Sequence, residues 1–322
     1  MKKFAPIILF VYNRPNHTKQ VVEGLLRNPE AKDSILFIFA DGPKPTISQE
    51  GLEKLKQVRD FIHTIKGFKE IYIDESDENR GLANATIRGC TSVINEYENM
   101  IVMEDDDVPS PYFLSYVNRC LEKYKDDERI WCVSGYTDTS LLPPVENGDD
   151  LFFVNRPSSW GFATWKRCWD KVIWDIPTLK GLFTHQSIIS GYNNWAGADA
   201  SNIMFGLFQG RNSSWSVRYN FAAYLNRSMT ILPNKSLIEN TGCDGSGTHC
   251  GIQNLNCQLF DRNIVIPNEI CFDSYRNRKL IDSFNPKTIK GRILYFINCS
   301  ICVKKILIKL GITRIKNNPI TY

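Results

Sequence analysis

The sequence predicts an α/β fold built on a mostly parallel sheet flanked by helices. In the first third, short apolar runs alternate with helix-length segments. The runs are uninterrupted instead of alternating, as in strands covered on both faces, and each ends in polar residues. Ile7 to Tyr12 is the first run, and a helix is expected from Pro15 to Arg27. Ile35 to Ala40 is the second, with a helix over 48–63; Ile71 to Ile73 and Met100 to Met103 follow, separated by a helix from Leu82 to Tyr97. Crossovers this long suit parallel pairing. Asn13-Arg14, Asp41-Gly42, Asp74-Glu75 and Glu104-Asp105-Asp106-Asp107 follow the four runs. In a parallel sheet such carboxyl ends line one crevice, where ligands bind.

Beyond residue 130 the rhythm loosens. Ile130 to Ser134 reads as a strand, Thr164 to Trp174 as a Trp-rich helix, Ala200 to Phe208 and Val217 to Leu225 as helices, and 191–197 and 241–251 as loops. There is no internal repeat and no long linker, so the second half is expected to pack on the sheet.

With 322 residues, 43% hydrophobic and 23% charged, the chain is neither disordered nor of low complexity. The 39 Lys and Arg against 35 Asp and Glu give +4, too near balance for a nucleic-acid binder. The excess is local: residues 285–322 carry eight basic side chains and no carboxylate. Ten scattered cysteines lack the density of a disulfide-stapled scaffold, which favours a reducing compartment. The apolar start stops at Asn13-Arg14, before a leader's apolar core and cleavage site, and no uncharged span reaches the roughly 18 residues of a membrane-crossing helix.

The strongest chemical signal is Glu104-Asp105-Asp106-Asp107 at a strand end. Adjacent carboxylates repel one another, and a bound cation offsets that cost. Hard oxygen ligands suit Mg2+ or Mn2+, which could neutralise a diphosphate leaving group. The competing explanation is a solvated acidic turn. The sequence has no Walker loop and no Gly-x-Gly-x-x-Gly, which argues against a P-loop NTPase or a dinucleotide-binding dehydrogenase. Arg14 offers a fork for phosphate or ribose-phosphate, and Asp41 an acceptor for a base N–H. Trp160, beside Gly161, is a candidate for stacking on a sugar, whereas Trp165, Trp169 and Trp174 read mainly as core. His249, in a Gly-rich loop, is expected to meet a phosphate or the divalent ion.

Val102-Met103-Glu104-Asp105-Asp106-Asp107-Val108, with Pro109 to Phe113 opening the next helix, resembles the Glu-Asp-Asp signature of the N-acetylglucosaminyltransferase I family and its bacterial relatives. The resemblance spans about residues 4–255 and is specific only in the acidic motif. It implies a GT-A fold and a UDP-sugar with Mn2+. It also implies uridine-side roles for Arg14 and Asp41, sugar and ribose contacts from Glu104 and Asp105, metal ligation by Asp106, and a Trp160-Gly161 turn beside sugar and acceptor. The expected organisation is a GT-A domain over 1–255 (nucleotide-binding half 1–130, acceptor-side half 131–255) and a C-terminal extension over 256–322. The family's Asp pair has no counterpart in Ser214-Trp215-Ser216-Val217-Arg218. Asp199 is the preferred catalytic base, with Asp170 and Asp175 as competitors and a helix cap as the plain alternative for Asp199.

The expected activity is inverting transfer of GlcNAc to an oligosaccharide or lipid-linked saccharide in bacterial surface-polysaccharide synthesis. A catalytically silent carbohydrate-binding protein is the second class. A nucleotidyltransferase is the third, disfavoured by the missing Gly-rich phosphate loop. Ile293 to Leu310 mixes apolar residues with Lys304, Lys305 and Lys309, as an interfacial helix on anionic lipid does, or as a terminal helix packed on protein does. The expected location is cytoplasmic, peripheral at the inner face of the plasma membrane.

Overall fold

The computed structural model describes residues 4–142, 149–245 and 258–300, together with 303 and 306. Ten strands run in chain order: β1 Ile7–Val11, β2 Ile35–Ala40, β3 Glu70–Glu75, β4 Asn99–Glu104, β5 Asp107–Pro109, β6 Ile130–Ser134, β7 Leu151–Val154, β8 Phe162–Trp165, β9 Met229–Pro233 and β10 Ile238–Asn240. The helices are α1 Pro15–Leu26, α2 Gln49–Ile62, α3 Leu82–Ile94, α4 Phe113–Lys123, α5 Lys166–Trp169, α6 Ile176–Leu182, α7 Gln186–Ala196, α8 Ala198–Phe208, α9 Ser216–Leu225, α10 Ser274–Ser283 and α11 Ile289–Cys299.

Eight strands form one sheet in the order β3-β2-β1-β4-β8-β6-β9-β7, and β10 pairs with β5 apart from it. The first four are parallel, as their unbroken apolar runs predict. β1 is buried along its whole length between flanking helices. The registers Val11↔Ala40 and Phe10↔Glu104 bring the carboxyl ends of β1, β2 and β4 together. Arg14, Asp41 and the acidic run therefore share one rim.

The expectation of a mostly parallel sheet fails in the second half. β8 is antiparallel to β4 and β6, β9 is parallel to β6, and β7 is antiparallel to β9, so the whole sheet is mixed. The cause lies in Phe162–Trp165, its last two residues expected to open the helix over Thr164 to Trp174. All four of its residues are buried, and its aromatic and β-branched side chains suit a strand enclosed on both faces. Only a single helical turn, α5, follows. The expected loop at 191–197 is instead the end of α7, stopped by Gly197 at φ +105°.

The main core lies on the sheet, and a second cluster, including Phe183, Tyr192 and Phe221, fills the space among α6, α7, α8 and α9. Trp165 and Trp169 are buried, and Trp174 packs on Trp169 at a ring separation of 4.8 Å. Among the described residues no helix is long and apolar enough to cross a membrane.

Candidate functional site

The acidic run is split by its backbone. Glu104 closes β4, Asp105 and Asp106 form the turn, and Asp107 opens β5. Asp107 is fully buried. Its Oδ2 accepts from the Glu104 N–H at 3.1 Å and the Gly161 N–H at 3.0 Å, and its Oδ1 accepts from Asn240 Nδ2 at 3.2 Å. Burial and the Asp106 charge push its carboxyl up, while these donors pull it back. Asp107 is thus an internal brace, tying the turn to Gly161, just before β8, and to β10.

Asp105 and Asp106 are buried beside Arg14, which donates through Nη2 to Asp105 Oδ1 and through Nη1 to Asp106 Oδ2 at 2.9 Å. Burial disfavours the guanidinium charge, but the two carboxylates outweigh it and raise its pKa. Burial likewise pushes Asp105 up against the opposing pull of Arg14. Glu104 is raised by burial and by its three acidic neighbours. Asp105 Oδ2 and Asp106 Oδ1 are buried with no hydrogen-bond partner. Unpartnered carboxylate oxygens are costly, and two together call for a donor or a cation. The 240–242 segment fixes the turn from behind. The Thr241 N–H donates to the Asp106 carbonyl at 2.9 Å, and a Cβ at Gly242 would stand 1.9 Å from Asp106 Oδ2.

This rim forms the floor of a cleft of about 520 Å³. One wall carries Phe39, Leu82 and Ala85 with Lys44 and Asn79; the other carries Trp160, Ile203 and the Ser214-Trp215-Ser216 segment. The size suits a nucleotide-scale ligand. Trp160 is half-buried and held edge-on by Tyr136 at 4.6 Å. Its neighbour Gly161 has φ +56°, and a Cβ there would lie 2.5 Å from Ile238 Cγ1. Gly161→Ala should therefore destabilise the fold by about 1–3 kcal/mol, combining left-handed strain with overpacking. Denaturant midpoints measure this, and an unchanged midpoint would refute it.

The structure brings Arg14, Asp41, Glu104, Asp105, Asp106 and Trp160 to the same cleft, with Gly161 adjoining. Asp41 departs from the role expected of it. Oδ1 accepts from the Gly42 and Arg80 N–H groups at 3.0 and 2.8 Å, and Oδ2 from Asn79 Nδ2 and the Gly81 N–H at 3.0 and 2.9 Å. Those four bonds use the acceptor capacity of a carboxylate. Asp41 shapes the wall, and burial raises its pKa despite these donors.

Asp199 is not among the residues lining the cleft. It is buried in the first turn of α8, with Oδ1 and Oδ2 each 2.6 Å from an Arg156 nitrogen. The expectation of a base there meets an ion pair instead: a carboxylate clamped on both oxygens and held out of the cleft is not free to take a proton from a ligand in it. The competitors are also engaged, Asp170 with Lys166 and Asp175 as the N-cap of α6. His249 lies outside the described residues.

Sequence reasoning missed Asn79, Lys44 and Asn240 as parts of the cleft. Asn240 gives no local signal, because the carboxylate that it serves is 133 positions away. Among the described residues no group of three His, Cys, Asp or Glu side chains stands ready to hold a metal. The unpartnered oxygens of Asp105 and Asp106 nevertheless fit a hard divalent ion that takes one or two carboxylates and completes its shell with phosphate and water.

No family model matches the chain. Among solved structures it is similar to the mannosyltransferase PcManGT from Pyrobaculum calidifontis in complex with GDP-Man and Mn2+, at 10% identity and TM-score 0.35, over 53% of this chain and 47% of that one. It is also similar to S. aureus TarS, at 10% identity and TM-score 0.41, over 75% of this chain and 37% of that one. The chain thus spans less than half the length of each.

Proposed function

We propose that the protein is a metal-dependent glycosyltransferase that moves a sugar, GlcNAc as first candidate, from a UDP-sugar to a hydroxyl of an oligosaccharide or lipid-linked saccharide, with inversion, in surface-polysaccharide synthesis. The observation that supports this best is the pair of unpartnered buried oxygens on Asp105 and Asp106, set beside Arg14 on the floor of a 520 Å³ cleft. The acidic motif's resemblance to a GT-A family adds the donor class.

Asp106, with Asp105 beside it, would hold Mn2+ or Mg2+, which when bound supplies positive charge to neutralise the diphosphate leaving group. Arg14 turns its fork from the carboxylates toward the diphosphate and orients it. The apolar wall of Phe39, Leu82 and Ala85 takes the base and excludes water. Asp41 keeps that wall in shape through the 79–81 loop. Glu104 and Asp105 meet sugar and ribose hydroxyls, and Trp160 packs on the sugar's apolar face.

Titration with UDP and with GDP, each with and without Mn2+, tests the donor half. Mn2+-dependent binding of UDP alone is the expected result, and binding of neither nucleotide would overturn the proposal. The engagement of Asp199 by Arg156 favours one competing reading, a carbohydrate-binding protein without turnover. That reading predicts UDP binding with no consumption of any UDP-sugar in the presence of saccharide acceptors.

A further inference from the structure

The five most exposed large apolar side chains among the described residues lie together in the chain from Val265 onward: Ile289 at 79%, Val265 at 67%, Tyr275 at 60%, Ile293 at 56% and Ile306 at 55%. Two of them, Ile289 and Ile293, are four positions apart on α11 and so share one face of the helix. Lys287, Lys290 and Arg292 flank that face and are exposed. From residue 285 onward the sequence contains no carboxylate, and Lys304, Lys305, Lys309, Arg314 and Lys316 extend the positive charge.

The opposite side of α11 is tied down. Tyr295 packs against the apolar cluster among α6, α7, α8 and α9. Just before the helix, the Phe284 ring lies 3.6 Å from the Arg156 guanidinium carbon, and Asn285 Oδ1 accepts from the Ala198 N–H at 3.0 Å. Those contacts fasten the segment to the start of α8, the helix whose Ile203 lines the cleft. The apolar and basic face is therefore carried on a helix fastened to the one that walls the site.

Isoleucines exposed to this degree, flanked by cations in a stretch that has no carboxylate from residue 285 onward, complement a surface that is apolar inside and anionic outside. A nucleic acid would use the cations and leave the isoleucines in water. We propose that the outer face of α11 docks the protein on the surface of a bilayer containing anionic phospholipid. The proposal goes beyond the transferase reading and does not depend on it.

The test is cosedimentation of the full chain with vesicles of phosphatidylcholine alone and of phosphatidylcholine mixed with phosphatidylglycerol. Binding is expected to the mixed vesicles and to fall with added salt. The triple variant Lys287→Gln, Lys290→Gln, Arg292→Gln should bind roughly 10²-fold more weakly, because each cation near such a surface contributes about fivefold. Ile289→Asp with Ile293→Asp should lose roughly tenfold or more. Equal binding to both vesicle types, no binding, variants that bind like the parent, or retention on single-stranded RNA in place of vesicles would each overturn the proposal. Thermal unfolding midpoints of the same preparations report folding, and UDP titration separates the two readings. A parent chain that binds vesicles but not UDP retains the docking surface and loses the transferase assignment.

Discussion

Asp106→Ala should abolish Mn2+-dependent UDP binding and lower UDP-sugar turnover by at least about 10²-fold, the scale seen when one preorganised electrostatic group is removed from a site. Asp106 presents one oxygen to Arg14 Nη1 at 2.9 Å and keeps the other buried and unpartnered. Alanine removes both, so a divalent ion loses its best ligand and Arg14 loses one of its two counter-charges. Asp106→Asn separates these effects, because it preserves shape and one acceptor while removing the charge. Its turnover should fall nearly as far as that of Asp106→Ala, with the unfolding midpoint little changed. Parental Mn2+ dependence in either variant would sink the metal assignment.

Asp199→Ala should cost about 3–5 kcal/mol of stability, because it removes the carboxylate that neutralises a buried guanidinium. Arg156 and Asp199 are 14% and 5% exposed at their side chains, so solvent does little to screen the loss. The Arg156 Nη1 bond to the Ala196 carbonyl at 2.6 Å would remain, and the stacking with Phe284 would lose its anchor. Chemical denaturation measures the loss, and UDP binding under conditions where the variant stays folded should be retained. Arg156→Met combined with Asp199→Leu should recover most of the stability, as apolar replacement of both partners of a buried pair commonly does. The reverse pattern, an unchanged midpoint with turnover lost, would restore Asp199 as the base.

Much of the first half was legible because its information is local. Ile7–Val11 and Asn99–Glu104 are buried on both faces, Ile35–Ala40 is buried on one face and half-buried on the other, all three are unbroken apolar runs, and their ends carry the polar groups of the rim. The second half was not legible in the same way. Phe162–Trp165 is a strand of only four residues, too short to show a period, and its Trp content was equally compatible with a core helix. The antiparallel placement of β8 between β4 and β6 depends on partners far along the chain. Candidate site residues divide similarly. Arg14 and Asp106 could be named from their position after apolar runs, whereas the saturation of Asp41 by the 79–81 loop and the capture of Asp199 by Arg156 arise from folding alone. Charge type was readable; whether a charge was already spoken for was not.

The bond from Asn240 to Asp107 joins positions 133 residues apart and completes the support of the acidic turn. As the chain is synthesised, the four carboxylates emerge long before the amide that braces the last of them. No partial product ending short of β10 contains that donor, or the Thr241 N–H that holds the Asp106 carbonyl. The binding floor is accordingly a late product of assembly. Nascent chains can form the parallel strands early and brace the acidic turn only after the remote return of the backbone, which couples completeness of the polypeptide to readiness of the cleft floor.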